Sequence, residues 1–445
     1  MSVRVLSMSM AVMFAVVTAY AQPKTLTLEQ AKQIGLERNL NVVQAENNKV
    51  SAESGVLAAY GRYLPNVSAS GSWTRSQQEG PIYTQGIAIP GSNQKATTGS
   101  FSAGVGASLL LFDGLEREAN LNRANAFSAA SAHTAIRTRQ SIVFQVESSY
   151  LNVLRLEQLV RVSEENLKRD RRQLERIVES NRVGALSLAD VYRQQSQVAS
   201  DELSLINAQN NYDNAKADLV ALMGLNVADD YQFVDPSVSV SLDSTELASS
   251  RAKYADMAAL TNTALTYRPD YLGAKENYDA SSSSVTMARA GYWPSLSARA
   301  GLNGNNEKIG DVFDYQTIYW GLNLSWSLFD GFATNQAIQN AAASQRNAEI
   351  SVAQAERDIS VEVKKALLNL DAAMKQYEVS QKGLISASED RKIAEERYNL
   401  GAGTLLDLLV ASANSVTAEA NVVNAAYNYV IAKRNVEYVL GERTY

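Results

Sequence analysis

The chain has 445 residues, with 41 basic against 47 acidic side chains, a net charge of −6, no cysteine and a single histidine. The acid excess argues against nucleic acid as a partner, the lack of cysteine excludes disulfide and thiolate chemistry, and one histidine makes no ordinary zinc site. Beyond the N-terminal segment no run of about 18 apolar residues occurs, so no transmembrane helix is expected and membrane contact has to use strands.

Residues 1–21 place Arg4 before an apolar run from Met8 to Val17 and end on Ala19-Tyr20-Ala21, the layout of a cleaved secretory signal. The mature chain is expected to start at Gln22, with no lipid anchor on an N-terminal cysteine. From about Leu26 to Gly61 the pattern reads as a polar, Ala-rich helix, opened by Thr27 with Gln30 three residues on and ended by Pro65. The period then changes to two. Val67, Ala69 and Trp73 alternate with Ser68, Ser70, Ser72 and Thr74, and after a polar loop (about Arg75 to Thr98) Phe101, Ala103, Val105, Ala107, Leu109 and Leu111 alternate with Ser and Gly. That rhythm predicts a hairpin, 64–112, with one apolar and one wet face.

From about Leu115 to Ser180 neither proline nor glycine interrupts a helical pattern, and Val146, Val153, Val160, Leu167 and Leu174 fall at steps of seven, the spacing of a helix supercoiled along a partner. A break at Arg182 to Val191 precedes a shorter helix from Leu188 to about Met223, which Gly224 stops. Residues 225–252 read as an irregular joining segment, with Pro236 and an alternating Val238 to Ser241.

A second copy follows over 253–441: a helix from about Lys253 to Gly291, a hairpin 293–329, a long helix 332–398, a break, and a helix from Leu405 to Leu440, with 442–445 as a tail. Gly184 aligns with Gly401, Ser187 with Thr404, Leu188 with Leu405 and Asp190 with Asp407, all 217 apart, and Leu111-Phe112-Asp113-Gly114 aligns with Leu328-Phe329-Asp330-Gly331 at the same spacing. The chain is one unit used twice. Pro65 and Pro294 are 229 apart, so the first copy carries twelve extra residues, assigned to the loop between its strands. The fold class is therefore mixed α+β, dominated by long helices, with an internal tandem repeat and four strands per chain. Four strands cannot close a barrel, and an open edge in lipid costs several kcal/mol per unpaired backbone group. Several chains have to share one.

In order and spacing these features resemble the TolC-like outer-membrane efflux proteins over essentially the whole mature chain: the tandem repeat, the Leu64-Pro65 and Trp293-Pro294 entries, the two Leu-Phe-Asp-Gly exits and the paired Val183 to Val191 and Leu400 to Leu409 turns. The resemblance implies a homotrimer in outer-membrane lipid, with a shared twelve-stranded transmembrane β-barrel above a trimeric α-helical barrel, a coiled-coil tunnel reaching through the periplasm. It also implies an exit duct of a tripartite efflux or type I secretion system, a passive gated channel joined by a periplasmic adaptor to an inner-membrane pump of RND, ABC or MFS type.

On the same resemblance, Asp190, Tyr398 and Asp407 match the positions that close the periplasmic tip, and Gly184, Ala185, Gly401 and Ala402 those that meet the adaptor. Gly403 stands where some relatives carry Arg, and Val410 where they carry a second acid. The residues also allow a plainer reading: Ser187 with Asp190, and Thr404 with Asp407, have the spacing of helix caps, and Gly184 and Gly401 of helix stops. The basic run Lys168, Arg169, Arg171, Arg172 and Arg176, interleaved with Glu164, Glu165, Asp170 and Glu175, reads as a solvated face with local ion pairs. No nucleophile with a base, phosphate-binding glycine loop or catalytic carboxylate pair is recognisable, so neither an enzyme nor a cofactor is expected. The alternatives are a periplasmic coiled-coil binding protein, which leaves the apolar strand faces unexplained, and a general diffusion porin, which would spend its length on strands.

Overall fold

The computed structural model describes residues 24–234 and 243–442; the expected signal segment, Gln22, the Pro236 to Ser241 stretch and residues 443–445 lie outside them. The chain is mainly helical. In order it runs β1 (Lys24–Leu26), α1 (Leu28–Arg38), α2 (Leu40–Gly61), β2 (Asn66–Thr84), β3 (Ile87–Phe112), α3 (Glu116–Arg182), α4 (Leu188–Leu222) and β4 (Tyr231–Phe233). It continues α5 (Ser244–Lys253), α6 (Met257–Tyr267), α7 (Pro269–Arg289), β5 (Ser295–Asn306), β6 (Gln316–Ser325), α8 (Ala333–Asn399) and α9 (Leu405–Leu440).

The main helices and the hairpins of the two copies correspond in order. The bounds of α3 and α8, both 67 residues, differ by 217 at each end, as do the first residues of α4 and α9; α1 with α6 and α2 with α7 differ by 229 at their N-terminal ends. At 1.5 Å per residue each long helix spans roughly 100 Å. The steps of seven are the packed seam: Val146 and Val153 are fully buried, Val160 and Leu167 nearly so, and Val363, Leu370 and Tyr377 repeat this in α8. One apolar cluster joins α3, α1, α4, β4 and α9 around Tyr150, Leu219 and Tyr427, and a second joins α8, α9, α6 and α7 around Leu370, Tyr429 and Tyr271.

Four expectations need correction. The single helix over Leu26 to Gly61 is two. Asn39 breaks it in an extended conformation, accepting the Asn41 N–H at 2.9 Å through Oδ1 and donating Nδ2 to the Leu222 carbonyl at 2.8 Å, so the kink is tied to the end of α4. The single helix over Lys253 to Gly291 is likewise broken, at Tyr254 and at Arg268, which is extended because Pro269 follows and disfavours helical backbone before it. The joining segment is not irregular throughout: β4 pairs in parallel with β1, and α5 is capped by Asp243.

The fourth correction is the largest. The expected loop from Arg75 to Thr98 is a continuation of both strands, paired from Asn66↔Ser108 to Pro81↔Asn93 and closed by Gln85 and Gly86, both with positive φ, as a two-residue hairpin turn requires. Pro81 adjoins a shift in register, one of the few places a strand accepts proline. The surplus residues of the first copy lengthen its hairpin into a ribbon.

The other four strands form one antiparallel sheet in the order β2-β3-β5-β6, leaving β2 and β6 as open edges. Ile318, Trp320, Leu322 and Leu324 on β6 are 67–86% exposed along one face. The Leu-Phe-Asp-Gly exits explain the turn from strand to helix. Gly114 and Leu115, like Gly331 and Phe332, take left-handed backbone, and Asp113 and Asp330 accept the first free helical N–H groups, from Arg117 at 3.1 Å and Thr334 at 2.7 Å. A Cβ on Gly114 would lie 2.7 Å from the Trp293 Cβ, so packing as well as backbone demands glycine there.

Candidate functional site

The two helical hairpins, α3–α4 and α8–α9, end in matching turns far from the sheet. Each long helix stops in a Schellman arrangement: Ala185 N–H bonds the Ser180 carbonyl and Gly184 N–H that of Asn181, while Ala402 and Gly401 do the same to Arg397 and Tyr398. Gly184 and Gly401 hold φ of +77° and +73° with open space around them, so the backbone alone selects glycine. Val183, Leu188, Leu400 and Leu406 around the turns are exposed.

The next helices open on Ser187 and Thr404. The Thr404 hydroxyl accepts the Asp407 N–H at 3.2 Å and donates to Asp407 Oδ2 at 2.8 Å, and Asp407 Oδ2 also accepts the Thr404 N–H at 3.0 Å. These bonds hold the Asp407 carboxyl below the usual carboxylate range. Of the two turns the box is reciprocal here alone; at the other, Ser187 accepts the Asp190 N–H at 3.3 Å, and the Asp190 carboxylate takes the Ser187 hydroxyl at 2.9 Å and Arg193 at 3.3 Å.

Asp190 and Tyr398 come close enough for the carboxylate, after burial, to push the phenol pKa up. The Tyr398 Oη is buried without a hydrogen-bond partner among the described residues. Tyr398 packs on the small apolar cluster that joins the hairpins at their tips, Ile177, Val191 and Leu405. Asp407 is exposed on its own turn and Val410 is exposed beyond it. Gly403 is tight: a Cβ there would stand 3.2 Å from the Arg397 Cβ.

Two groups went unnoticed in the sequence. Glu395 stands 3.7 Å from both Arg176 and Arg391, and Arg169 stands 3.9 Å from Glu419, so ion pairs cross between hairpins near the tip. The basic run is thus only partly a face with local pairs: Lys168 pairs with Glu165, but Arg171 reaches Glu202 on α4. Asp170, read as part of that face, is 8% exposed and turned inward, where Gln194 Nε2 reaches its Oδ1 at 3.3 Å and where it faces Asp201, 6% exposed. Burial and Asp170 push Asp201 up to about 7, and its Oδ2 finds no other partner among the described residues. The signal was present: Asp170 follows Leu167, and Asp201 follows Val198, by the three residues that keep a helical neighbour on the same face.

Among the described residues no helix is long and apolar enough to cross a membrane. The model of the outer membrane efflux protein family matches residues 32–225 and 260–442, and the chain belongs to that family. It is an outer-membrane protein of the efflux class, reaching into the periplasm. It is 25% identical over 312 residues to outer membrane protein TolC of Vibrio cholerae, covering 68% of each chain. It is 24% identical over 421 residues to the probable efflux pump outer membrane protein TtgC of Pseudomonas putida, covering 93% of this chain and 82% of that one. The matches span 61–68% of the length of the TolC relatives. The crystal structure of the outer membrane protein VceC from Vibrio cholerae superposes with a TM-score of 0.77 at 17% identity, covering 93% of this chain and 96% of that one, which shows a common fold.

Proposed function

We propose that three copies of the chain form a passive, gated exit duct across the outer membrane, serving a tripartite efflux or type I secretion system. The observation that carries this reading is the sheet with two open edges and an exposed apolar face, set at one end of two long helical hairpins. Such a sheet is stable in lipid only when its edges are paired, and four strands from each of three copies close a barrel of twelve, wide enough to leave a conduit. The paired helices continue the conduit as a tunnel, and side chains at the tips close it.

Asp190, Tyr398 and Asp407 are the proposed gate. Repeated around a three-fold axis, the acids attract cations and resist anions. Gly184, Ala185, Gly401 and Ala402 are the proposed contact for a periplasmic adaptor, which joins the duct to an inner-membrane pump that supplies the energy; Gly at two of these positions leaves backbone accessible to a partner.

The test is the native mass of the full chain extracted from an outer-membrane fraction, corrected for bound detergent, followed by conductance in a planar bilayer. A mass of three chains recovered only with detergent, and a discrete conductance, are expected. A monomer or dimer released by buffer alone overturns the reading.

A further inference from the structure

The two copies are equivalent not only in the bounds of their long helices but in the register of their hairpins. Shifting β2 by 229 and β3 by 217 carries the pair Trp73↔Phe101 onto Leu302↔Ile318, which is a pair of the second hairpin, and the rest of the ladder follows. The two hairpins are therefore interchangeable units of one repeating wall, and β3 against β5 is the joint between them. In the single chain that joint is made once, with Val105 opposite Leu302, Gly106 opposite Gly301 and Ser108 opposite Arg299. Its second half is the open pair of edges: β6 is the counterpart of β3, and β2 the counterpart of β5.

We infer that β6 of one copy pairs antiparallel with β2 of the next in the register of the internal β3–β5 joint, which places Leu322 opposite Trp73, Asn323 opposite Ser72 and Ser325 opposite Ser70. This rests on the reading of the assembly as a shared barrel and adds the alignment of its seam.

Three observations support the register. It puts apolar side chains beside apolar ones and small polar ones beside polar ones; a slip by one residue sets Trp73 against Gly321 or Asn323 and turns one strand inside out. It also accounts for the end of β6. The stretch Leu109 to Phe112 is strand, paired on β5, whereas its counterpart Trp326 to Phe329 lies outside β6 with Leu328 and Phe329 about four-fifths exposed. The inferred seam lays that stretch along the start of the neighbour's β2, at Val67 to Ala69. The helices repeat the pattern. His133 of α3 lies over Gly273 of α7, whereas the counterpart of His133, Ile350 of α8, is 65% exposed in the single chain; the inferred seam would bring Gln44 of the next copy, the counterpart of Gly273, to that position.

The chain has no cysteine of its own, so the register can be read by disulfide formation without background. Within one chain β2 and β6 are separated by two intervening strands, roughly 14 Å at normal strand spacing, too far for a disulfide. Four double variants of the full chain in outer-membrane fractions are oxidised and run without reductant. Ser72→Cys with Asn323→Cys, and Ser70→Cys with Ser325→Cys, are expected to give linked dimers and trimers. Ser72→Cys with Ser325→Cys, and Ser70→Cys with Asn323→Cys, keep the same face but are displaced by two residues, and should link about tenfold less. Stronger linking in the displaced pairs, in protein whose detergent-corrected mass is still three chains, overturns the register and leaves the duct standing. A mass of one chain with no linking in any pair overturns the duct itself, and the seam with it.

Discussion

At single residues the tip turns combine two duties in the same side chains. Asp407 holds the start of α9 through Thr404, and Asp190 holds the start of α4 through Ser187, so neither acid needs a gate to account for its position. Changing both to Ala separates the duties: the proposed gate requires cation preference to fall and block by multivalent cations in a planar bilayer to weaken about tenfold. A lower melting temperature with unchanged block would leave only the caps. The caps and stops were legible in the sequence because Ser, Thr, Asp and Gly do their work on neighbouring backbone, within a few residues of themselves. The approach of Tyr398 to Asp190 was not, since Tyr398 lies on the other hairpin and its place is set by how the two tips pack together.

Between elements, the joint of α3 with α4 contains a liability that charge patterning conceals. Asp201 is buried beside Asp170, and its pKa rises from the ordinary 3.8 to about 7. The folded hairpin therefore binds a proton that the unfolded chain releases nearer pH 4. Its stability falls as pH rises between about 4 and 7, and the deficit persists at higher pH. Asp201→Asn, which needs no proton, should be about 1–3 kcal/mol more stable than the parent at pH 8 and show a flatter dependence over that window, measured by thermal unfolding of the detergent-extracted protein. Equal stability of the two proteins at pH 8 would count against the buried pair. Long elements were easy to read, because the steps of seven from Val146 to Leu174 persist over many turns. The breaks at Asn39 and Arg268 were harder. Asn39 is held by the Leu222 carbonyl, distant in sequence, whereas the break at Arg268 has a local signal, Pro269, that the expectation of one helix over Lys253 to Gly291 passed over.

For the whole molecule, the repeat was the most informative sequence feature, since its two spacings already contained the equivalence of the hairpins. It also placed the surplus of the first copy between the two strands; what it could not convey was that these residues are themselves paired strand. The residues from Arg75 to Thr98 are paired only between β2 and β3, beyond the reach of β5, and a strand set away from a core needs no hydrophobic rhythm to betray it. Their ladder continues past Phe101, where the pairing with β5 ends, so the ribbon stands clear of the wall on the side away from the helices. In the proposed duct three such ribbons form a fringe on the cell surface. An insertion of a short polar epitope between Gln85 and Gly86 should change stability by no more than about 0.5 kcal/mol and be stained by antibody on intact cells, whereas the same epitope between Ala185 and Leu186 should be hidden until the cells are opened. Absence of staining at the first site would mean that the ribbon is covered or inverted. A fringe that carries no seam and no core is free to lengthen, shorten or change its chemistry while the wall beneath stays the same, so the face the cell shows its surroundings can evolve separately from the passage it conceals.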